Sequence, residues 1–499
     1  MARWAPLEQQ RAWLATYTPG LRVAESGRVT AVGDGIVWVA GLPSAAIDDV
    51  LEFEDGSQAL VCQLAEDSLG GILLRSSGGL ATGMQVRSAG WQLTLPVGEA
   101  VLGRVLDPLG GALDEREAPD CVERGPLDIL SPPIVDRDFV SRPLFTGNRI
   151  VDTMIPIGRG QRQLFIGDNG LGKTTLALDV VLRQRDQGVR CVYVAIGQRR
   201  ASVAGVLEAL RRGGALDYTC LVAADAASLP GLQYLAPFAG AAVAEYWMRR
   251  GQDTLVVYDD LTTHADCYRE LSLLLRRPPG REAFPADIFY LHARLLERAA
   301  SLSRARGGGT MTALALAETH EGELATYIPT NLISITDGQV YFAAPLFSAG
   351  ILPAIDVTRS VSRIGGAAQP PAIRTEAGRM KLDYLRFLEL EVFTRFGAKL
   401  EASIALQIHR GRLLREILKQ APRMPQAPEL HLAWLVAFNE HRLDSRQPAD
   451  MADYLHFLTA EVPALDLQLG SGRSRWAAAM TALTQRWEER RPPAAEAAS

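Results

Sequence analysis

The sequence predicts a multidomain chain in three parts: a small N-terminal β-barrel or sandwich, a central α/β domain, and a C-terminal α-helical bundle. Three observations predict it. Residues 21–95 hold short β-branched segments, such as GRVTAVGDGIVWVAGL and DVLEFEDGSQALVCQL, with turn residues about every 8–12 positions. From about 151 to 370, apolar strands alternate with Gly loops and helices, the pattern of a parallel sheet covered on both faces. From 371 onward, apolar residues recur at helical spacing, as in YLRFLELEVF and RGRLLREILKQ, with few strand signals.

In chain order, residues 1–20 read as a short amphipathic arm (Leu7, Trp13, Leu14, Tyr17) ended by Pro19-Gly20. The barrel follows over 21–95. The central domain spans 96–370 and opens with a turn-rich stretch containing DPLGG, GPLD, SPP and SRP. Its expected strands are 163–167 (QLFIG), 191–197 (CVYVAIG), 219–224 (TCLVAA) and 254–260 (TLVVYDD). The helical domain spans 371–490, and the tail 491–499 (RPPAAEAAS) has the composition of a disordered segment.

Composition narrows the function classes. With 499 residues the chain holds roughly three domains at the usual domain size. The 52 basic and 57 acidic residues give a net charge of −5, which argues against bulk attachment to nucleic acid. Five scattered cysteines without a C-x-x-C pair indicate neither a disulfide framework nor a zinc site, and point to a reducing compartment. The N-terminus lacks the basic-then-apolar order of a signal peptide. The best candidate for a membrane span, Leu232 to Val243, is short and interrupted by Gln233 and Pro237.

Positive charge is carried almost wholly by arginine, and Lys173 is the only lysine in the first 380 residues. It sits in Gly167-Asp168-Asn169-Gly170-Leu171-Gly172-Lys173-Thr174, which fits G-x-x-x-x-G-K-[ST] between an expected strand and an expected helix. Each residue type has a reason. Glycines let successive N–H groups turn inward to form an anion nest, and the helix N-terminus adds partial positive charge. Lys173 brings a compact charge on a flexible stem to the β/γ-phosphates, which arginine copies poorly. Thr174 offers a hydroxyl for Mg²⁺. The central domain is therefore expected to be of the P-loop (RecA-like) type and to bind ATP or ADP with Mg²⁺. A second part is the acid ending LVVYDD. Asp259 is the candidate for the Mg²⁺-associated position, acting through a water, while Asp260 stays open as the start of the next turn. Hydrolysis further needs a group that positions or activates water; the strand after the loop ends in Gly197-Gln198-Arg199, whose amide takes up no proton, and any nearby acid could serve instead.

The chain resembles the alpha subunit of F-type rotary ATP synthases over about residues 25–420. The resemblance rests on VGEAVLGRVLDPLGGALD (97–114), DTMIPIGRGQR (152–162), LQYLAPFAG (232–240), LRRPPGREAFPADIFYLHARLLERAA (275–300), YIPTNLISITDGQVYF (327–342) and PAIDVTRSVSRIGGAAQ (353–369). It implies a β-barrel first domain. The catalytic beta subunit carries Gly-Glu-Arg where this chain has Gly197-Gln198-Arg199, so Gln198 marks a non-catalytic nucleotide site. By resemblance, Arg363 falls on the arginine finger supplied to a neighbour's site, Ser360 on a position required for activity at that interface, and Phe347 and Gln420 on the nucleotide site. Resemblance also implies partners: three beta chains alternating with three alpha chains, a gamma shaft, stator subunits and a membrane sector that translocates protons or sodium ions. It implies no nucleic acid, and a peripheral place on the cytoplasmic side of a bacterial inner membrane.

Four departures from the family pattern stand out. Asn169, Gly170 and Leu171 replace Arg-Gln-Thr in the phosphate loop. Leu352 replaces an arginine near the base, and Pro422 replaces a second glutamine. Residues 1–20 share only amphipathicity with the usual arm that docks the delta stator subunit. This divergent set is similar to the alternative (N-type) synthases that some bacteria carry, and it implies weaker or altered nucleotide binding. Two readings from other classes are an autonomous homomeric P-loop motor, secretion- or Rho-like, and a nucleotide-sensing assembly protein. Gln198 separates the first from the leading reading, because a motor needs its own catalytic carboxylate. Substitution of Arg363 separates the second.

Overall fold

The computed structural model describes Arg11 and residues 25–394 and 401–490. Apart from Arg11, the arm expected over 1–20 lies outside the described residues, as does the tail expected over 491–499. The chain divides into two compact units after Gln92.

In the first unit six strands close an antiparallel barrel: β1 Gly27–Gly33, β2 Ile36–Ala40, β3 Val50–Phe53, β4 Gln58–Leu64, β5 Leu69–Arg75 and β6 Gln85–Ser88. Their order is β1-β2-β5-β4-β3-β6, closed by pairing of β6 with β1. Closure removes the free edges that a small sheet would otherwise expose. Val29, Val37, Val39, Leu51, Val61 and Val86 fill its core.

The second unit opens with β7 Thr94–Val97, β8 Val105–Leu106 and β9 Glu123–Pro126; β7 and β9 form a two-stranded ribbon. An eight-stranded sheet then runs β16-β15-β10-β14-β13-β11-β12-β8. Its strands are β10 Arg162–Asp168, β11 Val189–Gln198, β12 Thr219–Asp225, β13 Asp253–Asp259, β14 Thr310–Thr319, β15 Gly338–Phe342 and β16 Val361–Ser362, with β8 on the far edge. All neighbours are parallel except β15 and β16. The middle strands β10–β14 are buried along nearly their whole length, as parallel strands covered on both faces must be.

The covering helices are α1 Arg149–Met154, α2 Lys173–Arg183, α3 Arg200–Arg212, α4 Pro230–Met248, α5 Leu261–Leu274, α6 Ile288–Leu296, α7 Tyr327–Ile335 and α8 Ala344–Ser348. Helix α4 contains the apolar run Leu232–Val243, and its residues Leu235–Glu245 are all buried. A helix apolar all round belongs in a core, and this one lies against the sheet. Among the described residues no helix is long and apolar enough to cross a membrane.

Among the described residues five helices build the C-terminal domain: α9 Pro371–Thr394, α10 Ala402–Leu418, α11 Pro428–Asn439, α12 Met451–Glu461 and α13 Arg473–Glu489. Helix α11 is its central rod, buried from Leu430 to Phe438. Trp434, Trp476 and Trp487 fill the space around it, and Tyr454 meets Trp487 edge-on at 4.9 Å.

Candidate functional site: a phosphate loop at the carboxyl ends of the sheet

In open α/β sheets ligands bind beyond the carboxyl ends of the strands. Four chemistry-bearing residues stand at or next to those ends: Asp168 on β10, Gln198 on β11, Asp259 on β13 and Glu318 on β14. Together with the loop they frame a cavity of about 540 Å³ lined by Asn169, Gly170, Gly172, Lys173, Thr174, Gln198, Asp259, Asp260 and Glu318, among others.

The loop's geometry follows from its glycines. A Cβ on Gly167 would lie 2.5 Å from the Phe342 carbonyl oxygen, so only glycine lets β10 close onto β15 at this point. Gly172, at φ 98°, turns the chain into α2 through the left-handed region. Asp168 ties the loop down: its Oδ1 accepts from Thr319 Oγ1 at 2.6 Å and from the Gly322 N–H at 2.9 Å. Leu171 is buried in the core and does not line the cavity.

Lys173 is buried, and its Nζ donates to the carbonyls of Gly167 and Asp168, both at 2.8 Å. Burial lowers its pKa, opposed by Glu318, Asp260, Asp259 and Asp168. Thr174 Oγ1 donates to Asp259 Oδ2 at 3.0 Å, and Tyr193 donates to the same oxygen at 2.5 Å. Burial raises the Asp259 pKa against those two hydrogen bonds. Asp260 caps the N-terminus of α5, its Oδ1 accepting from the Thr263 N–H at 2.7 Å, and burial pushes its pKa up to about 7. The two neighbouring acids thus do different work: Asp259 faces Thr174, and Asp260 serves the helix.

A hydroxyl and a carboxylate already in contact are hard oxygen donors that suit Mg²⁺. Among the described residues no group of three or more His, Cys, Asp or Glu is arranged to hold a metal by itself. That fits an ion arriving with phosphates, since Mg²⁺ is usually held by one or two protein oxygens plus the substrate.

Two residues escaped the sequence reading. Tyr193 reads as one more apolar strand position. Glu318 pairs in register with Gly167, and its Oε1 lies 3.9 Å from Lys173 Nζ. Asn169 Nδ2 reaches its other oxygen at 3.5 Å.

The remaining candidates are elsewhere. Arg363 follows the edge strand β16, is exposed, and does not line this chain's cavity. Its backbone N–H donates to the Asp337 carbonyl at 2.8 Å, and its Nη2 reaches only the Ile333 carbonyl at 3.4 Å. Among the described residues it has no carboxylate partner. Ser360 is buried; its Oγ donates to the Asp356 carbonyl at 2.6 Å and accepts from the Tyr341 N–H at 2.9 Å. Phe347 is exposed on α8. Gln420 is buried with its amide engaged: Oε1 accepts from the Arg149 N–H, and Nε2 donates to the carbonyls of Gly147 and Met424. Its backbone N–H meets the Leu352 carbonyl at 2.9 Å.

Comparison with known proteins gives three successive matches. Residues 22–90 match the ATP synthase alpha/beta family β-barrel domain, 147–362 its nucleotide-binding domain, and 369–467 the C-terminal domain of the ATP synthase alpha/beta chain. The chain is 58% identical over 471 residues to ATP synthase subunit alpha 1 of Legionella pneumophila, covering 94% of this chain and 96% of the relative. It is 54% identical over 474 residues to the subunit of the same name from Hahella chejuensis, covering 95% and 96%. With all three domains matched in order and most positions shared over nearly its full length, the chain belongs to the ATP synthase alpha/beta family.

Proposed function

We propose that the chain is the alpha subunit of a rotary ATP synthase: it binds nucleotide without splitting it and lends Arg363 to the catalytic site of an adjacent beta chain. One observation carries the reading. At the end of β11, where the cavity meets the strand, the side chain is the amide of Gln198. An amide hydrogen-bonds but takes up no proton, so water there lacks a base.

This chain's own residues account for binding. The loop N–H groups and the start of α2 receive the phosphates, and the Lys173 ammonium turns from the carbonyls of Gly167 and Asp168 toward them. Thr174, and Asp259 through water, hold the Mg²⁺. When bound, that ion neutralises charge on the phosphate oxygens. Phe347 offers an exposed ring to the base. Gln420 has its amide committed internally, and holds the loop at Leu352 in place.

The finger role follows from Arg363 as an exposed guanidinium with no carboxylate of its own among the described residues. Such a group meets developing charge on a neighbour's phosphate at no cost in broken ion pairs. Ser360 then acts as a positioning residue, tying the start of β16 to β15 through Tyr341. The same reading implies alternation with three beta chains around a gamma shaft, stator contacts, and peripheral attachment to a proton- or sodium-translocating sector on the cytoplasmic side of the bacterial inner membrane.

One observation favours a second reading, an autonomous motor: Glu318 is a carboxylate in the chain's own cavity. It stands, however, between Lys173 and Asn169 on the phosphate-loop side. ATPase activity decides. The full-length chain alone should turn over no ATP above background, and turnover that disappears in Glu318→Gln would establish the motor. In the complex reconstituted with its beta partner, Arg363→Ala should lower kcat by about 10³–10⁵-fold. Unchanged kcat would leave only an assembly role.

A further inference from the structure

A cavity of about 880 Å³ lies within the C-terminal domain, apart from the phosphate site and sharing none of its lining residues. Of the base-side candidates, Gln420 lines it, whereas Phe347 and Leu352 do not. Its walls are largely apolar, formed by Leu430, Leu455, Val462, Leu465 and their neighbours. The size falls within the roughly 300–1,000 Å³ of ordinary ligand pockets.

Five charged side chains line the cavity, Arg149, Glu416, Lys419, Arg423 and Glu429, and of these Arg149 alone is buried. Arg149, at the start of α1, is only 6% exposed. Its Nε donates to Gln426 Oε1 at 2.8 Å, and its Nη1 donates to the carbonyls of Ile417 and Lys419 at 2.8 and 2.5 Å. All three acceptors are neutral. The two carbonyls end α10, whose C-terminal dipole supplies about half a unit of negative charge. No carboxylate offsets the rest: Glu416, the nearest acid in sequence to that helix end, is bonded to Lys419 at 2.7 and 2.9 Å. Burial alone pulls the Arg149 pKa down to about 10. Nη2 makes no hydrogen bond among the described residues, and Arg149 is one of the residues that line the cavity.

A buried cation with free donors at the edge of an apolar chamber is complementary to one class of molecule. We propose that this cavity binds a single-headed apolar carboxylate, its chain among the leucines and its headgroup on the Nη2 side of Arg149. The site is separate from the phosphate cavity, and Gln420, which lines the site, also bonds the Leu352 carbonyl through its backbone N–H. The loop that carries Gln420–Ala427 separates it from α2: the Arg423 N–H donates to Asp179 at 2.8 Å, and Arg183 donates to the Gln426 carbonyl at 3.1 Å.

Equilibrium dialysis of labelled decanoate against the full-length chain tests the site, with decanol as the neutral counterpart. Ala452 is an exposed residue on the cavity wall, so Ala452→Trp blocks the chamber without disturbing the buried core. One saturable decanoate site is expected, absent in Ala452→Trp, with decanoate favoured over decanol by about tenfold or more. In Arg149→Gln that preference should fall below about threefold, because the charge-assisted part is gone. No saturable binding, binding that survives Ala452→Trp, or equal affinity for acid and alcohol in the parent chain would overturn the proposal.

Discussion

The hydroxyl of Tyr193 and Oδ2 of Asp259 are 2.5 Å apart, deep at the carboxyl end of the sheet, and Thr174 bonds to the same oxygen. Two donors hold the carboxylate against a burial that disfavours its charge. A hydrogen bond to a charged group is worth about 1.5–3 kcal/mol, or roughly tenfold and upward in an equilibrium constant. Tyr193→Phe should therefore raise the Kd for Mg-nucleotide by about tenfold while leaving Mg-free nucleotide within about twofold. Calorimetric titration of the chain with and without Mg²⁺ reads both. Equal weakening in the two titrations would mean that Tyr193 serves the loop rather than Asp259.

Asp260 gives a pH signature of opposite sense to the usual carboxylate. Its pKa rises from 3.8 to about 7 on folding, so the folded chain holds the proton more tightly than the unfolded chain. Between those values the unfolded state is ionised and the folded state is not, so stability falls as pH rises across the window and is level above it. Asp260→Asn keeps the cap on Thr263, since asparagine caps as well as aspartate. Without nucleotide, the variant should be more stable than the parent by on the order of 1–3 kcal/mol at pH 8, with the difference vanishing near pH 4. Urea unfolding at the two pH values checks this.

The sequence made part of this site legible and hid the rest for physical reasons. Gly167 to Thr174 declared itself because anion binding demands particular residue types at particular spacings. Strands β10 to β13 stood out through Val, Ile and aromatic runs, and each was found where the pattern placed it. Strand β14 was not predicted: TMTALALAET is rich in Ala and Leu, and a short apolar run of that kind reads equally as buried helix. Glu318 was lost with it. Tyr193 was opaque for a different reason. Which oxygen its hydroxyl meets depends on a partner 66 residues away, set by sheet order rather than by local pattern.

Helix α4 carries its own consequence. Glu245, which follows the apolar run Leu232–Val243, is 2% exposed and meets Arg298, which is fully buried, at 2.7 and 3.0 Å. Arg298 also donates to the Leu127 carbonyl at 2.7 Å. Removing one member leaves an uncompensated buried charge, a loss of about 3–5 kcal/mol. Glu245→Gln should lower the urea midpoint by that equivalent. The double variant Glu245→Met, Arg298→Met should lose less than the single one, because both desolvation costs go together.

Glu318 sets the last expectation. Its carboxylate stands 3.9 Å from the Lys173 ammonium, near where the terminal phosphates would compete for the same charge. Two anions several ångströms apart at an effective dielectric near 20 repel by a few kcal/mol, less where solvent reaches them, and the Glu318 side chain is 27% exposed. Glu318→Gln should therefore tighten Mg-free ATP by about three- to tenfold. Mg-ATP should gain less, since the ion already screens the phosphates. Titration of ATP with a chelator present, set beside the same titration in Mg²⁺, measures both gains. A larger gain with Mg²⁺ than without would show that Glu318 competes for the metal rather than for Lys173.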